Sequence, residues 1–423
     1  MLLIGACLII FHAGLALAQC NGLTPKNSNP QAAPGVQYKV LANDLRQPRG
    51  LKFDTKGNLL VVERQAGIRR IVLSGTDVSN TCIQSGSPIV QDTKLNHGIE
   101  LSSDGKILFA SSSTDVFAYD YDADKGTASN PRSVINGMDQ GGHPTRTLLI
   151  PRLNSNLLLV SRGSDPNLDM DTVRIESGKS QIRVFRLDQI LEGSGPAPYS
   201  SGEVLGWGLR NSVGVGEDPT TGFIWSVENS LDQMARQGTD VHNNNPGEEL
   251  NFHGLPVNVN NAVFGKNYGY PACVAIFDPS NIPNYPGGAK TGDQMISDQK
   301  FSFLTDQWCK DVTVTPAITF SSHTAPLDIK FIADGSAALV SFHGSWNRSP
   351  PAGYRLSRVA FSRGFPTASK SSVDAEQPLL WNADSTKCPQ QCFRPVGLAF
   401  DGPGKRLFMT SDATGELWMV TGV

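Results

Sequence analysis

Apolar and polar positions alternate along most of this chain in short runs, and one arrangement of them recurs six times. An apolar run leads into a polar turn of Asp, Gly and Asn. A second apolar run follows, and a Gly often opens a third. The copies begin at Gly50, Gly98, Thr147, Val213, Leu327 and Val396. GLKFDTKGNLLVVERQAGIRRIVL is a clear example, whereas the third copy delays its outer strand to the IRVFRLD segment at Ile182. Period-two alternation marks strands with one buried face, and a repeated strand–turn–strand unit indicates a repeat architecture. A single unit cannot bury both faces of its sheet. Six packed around an axis can, and the ring hides their edges.

The predicted fold is therefore all-β, a six-bladed β-propeller over residues 36–423. The last copy supplies three strands, and residues 36–42 (VQYKVLA) offer the fourth, which would close the ring. A β-sandwich or two unrelated β domains accommodates six copies of one motif poorly. Residues 230–326 carry few strong strands and are rich in Asn, Gly and Pro. They read as a long insertion over one face that contains the outer strands of the fourth blade. Residues 19–35 read as a flexible N-terminal segment.

Composition supports many short strands joined by turns, with 42 Gly and 27 Pro and little helical periodicity. A formal net charge of −3 argues against a nucleic-acid partner. Residues 1–18 form an apolar run ending in Ala16-Leu17-Ala18, which predicts a signal peptide and an extracellular protein, although the usual basic start is missing. No later segment is apolar enough to span a membrane, and a monomer is expected. Six cysteines remain after residue 18, an even count that favours disulfides in a secreted chain. Spacing alone allows fifteen pairings. The expected ones are Cys388–Cys392 and Cys273–Cys309 as local loops, with Cys20–Cys82 tying down the N-terminus.

The candidate chemistry sits where loops would converge on the channel mouth. His143 precedes the third blade, Arg210 and Asn211 the fourth, and Arg394 the sixth. Arg49, His97 and His323 stand at the same place before the first, second and fifth. Arg64, Arg162, Glu228-Asn229 and His343 fall at the ends of second strands. A ring of Arg and His suits a flat anionic ligand, because the guanidinium fork is bidentate and permanently charged. A neutral His at the same mouth can act as a general base. His97 and Arg49 read mainly as structural residues, and His242 and His253 as surface ones. Asn347-Arg348-Ser349 is formally a glycosylation sequon. No GxSxG elbow, HExxH or dinucleotide-binding GxGxxG is present.

The segments GGHPTRTL, WGLRNSVG, PGEELNF followed by NYGYP, HGSWNRSPPAGY and the terminal FRPVGLAFD, in this order, resemble the soluble pyrroloquinoline quinone (PQQ)-dependent glucose/sorbosone dehydrogenases. The likeness is greatest to the fungal secreted pyranose dehydrogenases and spans nearly all of residues 36–423. The resemblance implies a quinoprotein that oxidises the anomeric carbon of a pyranose, passing hydride to PQQ and electrons onward to a one-electron acceptor. A cytochrome or a copper polysaccharide oxygenase would be that partner. It implies PQQ across the channel mouth with Ca²⁺ bridging cofactor and protein, His143 as base, and Arg210 stabilising charge on the quinone. Arg64, Asn211, Asn229, Glu248, His343 and Arg394 match cofactor-lining positions, and the backbone carbonyls of Ser230 and Leu231 match the calcium loop. That loop is spelled ENSLDQM rather than the Gly-Pro form of the glucose enzymes, and a Lys that clamps PQQ there is replaced by the HGSW segment. A calcium-dependent propeller hydrolase or lactonase, or a non-catalytic carbohydrate-binding propeller, are the rival readings.

Overall fold

A computed structural model describes residues 22–27, 30–257 and 260–423. The expected signal peptide and Cys20 lie outside them, and so does one half of the expected Cys20–Cys82 pair. Six sheets, each with an innermost strand at Pro48–Phe53, Ile99–Leu101, Leu148–Leu149, Ser212–Glu217, Pro326–Phe331 or Pro395–Phe400, form the blades of a six-bladed propeller. Each innermost strand pairs antiparallel with the second strand of its copy.

The ring closes as the pattern predicted. Gln37–Ala42 pairs antiparallel with Glu416–Thr421, so the sixth blade joins both ends of the chain. Part of the segment read as a flexible lead-in is also built into the fold. Gln31–Ala32 pairs with Leu380 and Trp381 at the rim of the fifth blade.

Six apolar clusters fill the six gaps between blades. Leu60, Val62, Leu101 and Leu108 lie between the first and second, and Leu41, Leu59, Phe408 and Leu417 between the sixth and first. Trp225, Ile329, Phe342 and Phe361 join the fourth to the fifth. Second strands such as Leu59–Glu63 and Ala337–Phe342 are buried at every position, because a blade is covered on both faces. Alternation therefore fades inward, and an outer strand such as Cys82–Val90 is the exposed one.

The insertion supplies the fourth blade's outer strands, Glu248–Gly254 and Ile318–Phe320, and sends Lys266–Asn267 to the third blade. The rest builds a small core of its own around Leu231, Met234, Val241, Tyr270 and Met295. A short helix, Asp306–Val312, is capped by the Thr305 hydroxyl, which accepts from the Trp308 amide. Disulfides Cys273–Cys309 and Cys388–Cys392 are both formed. Among the described residues no helix is long and apolar enough to cross a membrane.

Candidate active site

The loops before the innermost strands meet at one mouth of the channel and are stitched together by main-chain bonds. The His143 amide donates to the Ser164 carbonyl at 3.3 Å, Ser164 N to Arg210 O at 2.8 Å, and Asn229 N to Asn211 O at 3.1 Å. Ser230 N donates to the Glu248 carboxylate at 2.7 Å. The other Glu248 oxygen accepts from Ala325 N at 3.2 Å, and His343 N donates to Ala325 O at 2.9 Å. Arg394 donates from Nε and Nη2 to the carbonyls of His343 and Gly344 at 3.1 and 2.8 Å. Asn96 Nδ2 donates to Pro144 O at 2.9 Å, which ties the second blade to the loop carrying His143. The residues singled out in the third to sixth copies thus share one rim, and the second blade is tied to it.

Gly163 decides how closely two blades approach there. A Cβ at this position would lie 2.7 Å from Asn211 Oδ1 and 2.8 Å from His143 Cβ, so a side chain would wedge His143 away from the Arg210-Asn211 pair.

His143 Nδ1 lies 2.7 Å from the Ser164 carbonyl oxygen. That oxygen can only accept, so Nδ1 carries the hydrogen and Nε2 presents a lone pair. Burial first, and the Arg210 charge second, push the imidazole pKa down to about 4. The ring is neutral at pH 7.

Arg210 is buried and fully engaged. Nε and Nη2 donate to the carbonyl and side-chain oxygens of Asn167 at 3.0 and 2.9 Å, and Nη2 also pairs with Asp232 at 2.7 Å. Nη1 donates to the carbonyls of Asn229, at 3.2 Å, and Ser230. The Ser230 carbonyl expected to bind metal is therefore held by a guanidinium. The Asn229 and Ser230 carbonyls and the Asp232 carboxylate are oxygen donors of the kind Ca²⁺ takes, but they supply only three of the roughly six to eight it needs, and all three accept from Arg210. The Leu231 side chain is buried with Met234, Val241 and Tyr270, which anchors this turn. Among the described residues no group of three His, Cys, Asp or Glu side chains could hold a metal.

Behind Arg210 sit three buried carboxyl groups. Burial pushes Glu248 up to about 7 despite its two amide donors. Glu228 accepts the Arg210 amide at 2.6 Å and shares the Asn251 amide with Glu249, its cross-strand partner. Burial raises both, and their mutual repulsion raises Glu228 further.

On the far side of the mouth Asp412 lies between Arg49 Nη1, at 2.6 Å, and His343 Nε2, at 2.8 Å. Burial alone would raise this carboxyl; His343 and Arg49 more than offset it and hold Asp412 well below the usual carboxylate range. Burial lowers the His343 pKa, while the Asp412 charge and hydrogen bond work the other way. Among the described residues Arg394 pairs with no carboxylate; its guanidinium lies over the Tyr354 ring at 5.6 Å. Arg64 is exposed at the rim beside Gln140 and Pro144, with no bond to its guanidinium among the described residues. Cations without matching anions fit a carboxylated ligand such as PQQ.

One sequence reading changes. His253 is not a surface residue; it is fully buried in the strand Glu248–Gly254, where Nε2 lies 2.8 Å from Ser226 Oγ. The run of Asn and Pro before it hid a blade strand covered by its neighbour. Asn347, in the sequon, donates to the Asp232 carbonyl and stands half-buried inside the rim. Arg49, read as structural, is the partner of Asp412. Asn167, Asp232 and Asp412 were not singled out at all. Each is an unremarkable loop residue until a partner from another loop meets it.

Residues 30–423 match the TrAA12-like family. Over 421 residues the chain is 42% identical to a pyrroloquinoline quinone-dependent sugar dehydrogenase of Hypocrea jecorina, covering 98% of this chain and 95% of that protein. A Trichoderma reesei structure of Carbohydrate-Active Enzymes Family AA12, described as a calcium structure, superposes with a TM-score of 0.92 at 42% identity, over 95% of this chain and 99% of that one. The holo form of the pyranose dehydrogenase PQQ domain from Coprinopsis cinerea gives 0.87 at 37% identity, over 95% and 98%. The full pyranose dehydrogenase of Coprinopsis cinerea is longer. It is 38% identical over 416 residues, which are 95% of this chain but 56% of that protein. Fold and sequence agree: the chain belongs to the TrAA12-like family.

Proposed function

We propose that this protein is a secreted quinoprotein that oxidises a pyranose at its anomeric carbon and passes the electrons to a one-electron acceptor. The observation that carries the reading is the rim itself: a neutral imidazole with its Nε2 lone pair outward beside Arg210, on a rim where Arg394 and Arg64 pair with no carboxylate among the described residues. PQQ, when bound, supplies a quinone that accepts hydride. Arg64, Arg210, Asn211, Asn229, Glu248, His343 and Arg394 would hold it, and the carbonyls of Ser230 and Leu231 would hold Ca²⁺.

His143 then works in two ways. Its Nδ1–H bond to Ser164 fixes the ring, and Nε2 takes the proton from the anomeric hydroxyl as C1 loses hydride. Arg210, fixed by Asn167 and Asp232, sets a positive field where negative charge grows. Preorganised charge of this kind contributes about 3–4 kcal/mol. The carboxylates on innermost strands are engaged: Glu100 and Asp328 pair with Lys52 and Lys330, and Glu217 accepts the Arg152 and Leu153 amides. An axial-calcium hydrolase would need them free, so that reading is the weaker one. An acceptor such as a cytochrome or a copper polysaccharide oxygenase would work outside the cell.

The test is reconstitution. PQQ and Ca²⁺ are added to purified apoprotein, and the quinone absorbance is followed while a panel of sugars is supplied. Saturable binding and bleaching by an aldopyranose are expected. Saturable binding without bleaching by any sugar, or no binding, would overturn the proposal.

A further inference from the structure

Arg146 lies three residues after the imidazole that faces the mouth, and its guanidinium is buried, at 1% exposure. Its three hydrogen bonds all end on main-chain carbonyls of one short loop. Nη1 donates to His143 O and Thr145 O, each at 2.7 Å, and Nη2 donates to Asp139 O at 2.7 Å. The Asp139 carboxylate does not pair with it and is taken instead by Arg162 at 2.5 Å. Arg146 Nε has no partner among the described residues.

A buried cation without a carboxylate is costly, and an apolar residue of similar size would serve stability as well or better. What the guanidinium provides that an apolar side chain cannot is a rigid planar fork. Here the fork binds both ends of the loop 139–145. The loop is held from the other side as well, since the Ser111 hydroxyl donates to the Arg146 carbonyl at 2.6 Å and the His143 amide to Ser164 O. The His143 carbonyl points at Arg146 while its ring points at Ser164.

We infer that Arg146 is a positioning residue that clamps the loop 139–145 and so fixes the His143 ring in the Nδ1–H form with Nε2 facing the substrate. The inference rests on the proposed role of His143 but concerns the geometry of that ring, which exists without cofactor. A displacement of about 1 Å at a reacting group can cost on the order of a hundredfold in rate. Arg146→Lys keeps the charge and loses the fork.

The test has three readouts on the full chain. In ¹⁵N-histidine-labelled apoprotein, the His143 ring is expected as a single Nδ1–H tautomer in the wild type and as an exchanging mixture in Arg146→Lys. In protein reconstituted with PQQ and Ca²⁺, Arg146→Lys should lower kcat on the order of a hundredfold, with KM and PQQ affinity within about threefold of wild type. Should Arg146→Lys fail to fold, amide exchange of the wild type decides: the clamp requires the His143 amide to exchange as slowly as the neighbouring strands. An unchanged His143 tautomer in the variant, a kcat within twofold of wild type, or a wild-type His143 amide that exchanges as fast as an exposed turn would each overturn the inference. A wild type with a single tautomer but no sugar oxidation would overturn the proposed function and leave the clamp standing.

Discussion

Gly163→Ala is the smallest change that should separate the two halves of the site. The new methyl would sit 2.7 Å from Asn211 Oδ1 and 2.8 Å from His143 Cβ, where ordinary contact begins at 3.4 Å. The two groups must therefore give by roughly 0.6–0.7 Å each. The His143 side cannot yield freely, since the ring is tied to Ser164 and the loop to Arg146. The Asn211 side cannot either, since its neighbour Arg210 is held by Asn167 and Asp232. A shift of that size in a reacting pair predicts a kcat loss of about 10- to 100-fold, and overpacking should cost about 1–3 kcal/mol of stability. Gly402→Ala is the control, because nothing lies within 4 Å of a Cβ there. The assay is steady-state sugar oxidation with a dye acceptor on reconstituted protein, with thermal unfolding alongside. A folded Gly163→Ala protein with wild-type kcat would refute the claim that this contact sets the geometry.

Two further predictions follow from charge. His143 is held near a pKa of about 4 by burial and by Arg210, and the base must be neutral, so kcat/KM should stay level from pH 7 down to about 5 and fall as pH drops through about 4; a pH–rate profile whose acid limb belongs to His143 and lies at 6.5 would contradict this. Asp412→Asn should destabilise the protein by about 3 kcal/mol near pH 7, because it strips Arg49 of its countercharge in a largely buried pair. Since the folded pKa of Asp412 is depressed, its contribution is complete above the unfolded value near 3.9. The gap between wild type and variant in denaturant melts should thus hold constant above about pH 5 and shrink below pH 4, and a gap that grows on acidification would be inconsistent with the pairing.

The blades could be read from the chain because each copy repeats the same local events: an apolar run, a turn that requires Asp and Gly, and a second apolar run. Closure by residues 37–42 was legible for a simple reason, the want of a fourth strand in the last copy. His143 and Arg210 stood out by sharing a register with other strand starts, and the geometry adds that their loops are bonded to one another. The contacts that give the site its precision were not legible. Arg146 reads as one more polar residue in GGHPTRTL, because its partners are carbonyls, which every residue has. Asp412 meets Arg49 across the closure between first and last blades, 363 positions apart. His253 looked exposed because an Asn-rich run precedes it, and burial there comes from a neighbouring blade. For Asp412 and His253 the deciding partner is remote in sequence, so no local pattern could reveal it.

His143 as the base of a PQQ-dependent sugar oxidation is the central claim. The measurement is single-turnover reduction of bound quinone by an aldopyranose, compared between wild type and His143→Ala after PQQ binding has been titrated for both. The account predicts that the variant binds PQQ within a few-fold of wild type and that its quinone is reduced at least about a hundredfold more slowly. Reduction at the wild-type rate in His143→Ala would contradict it.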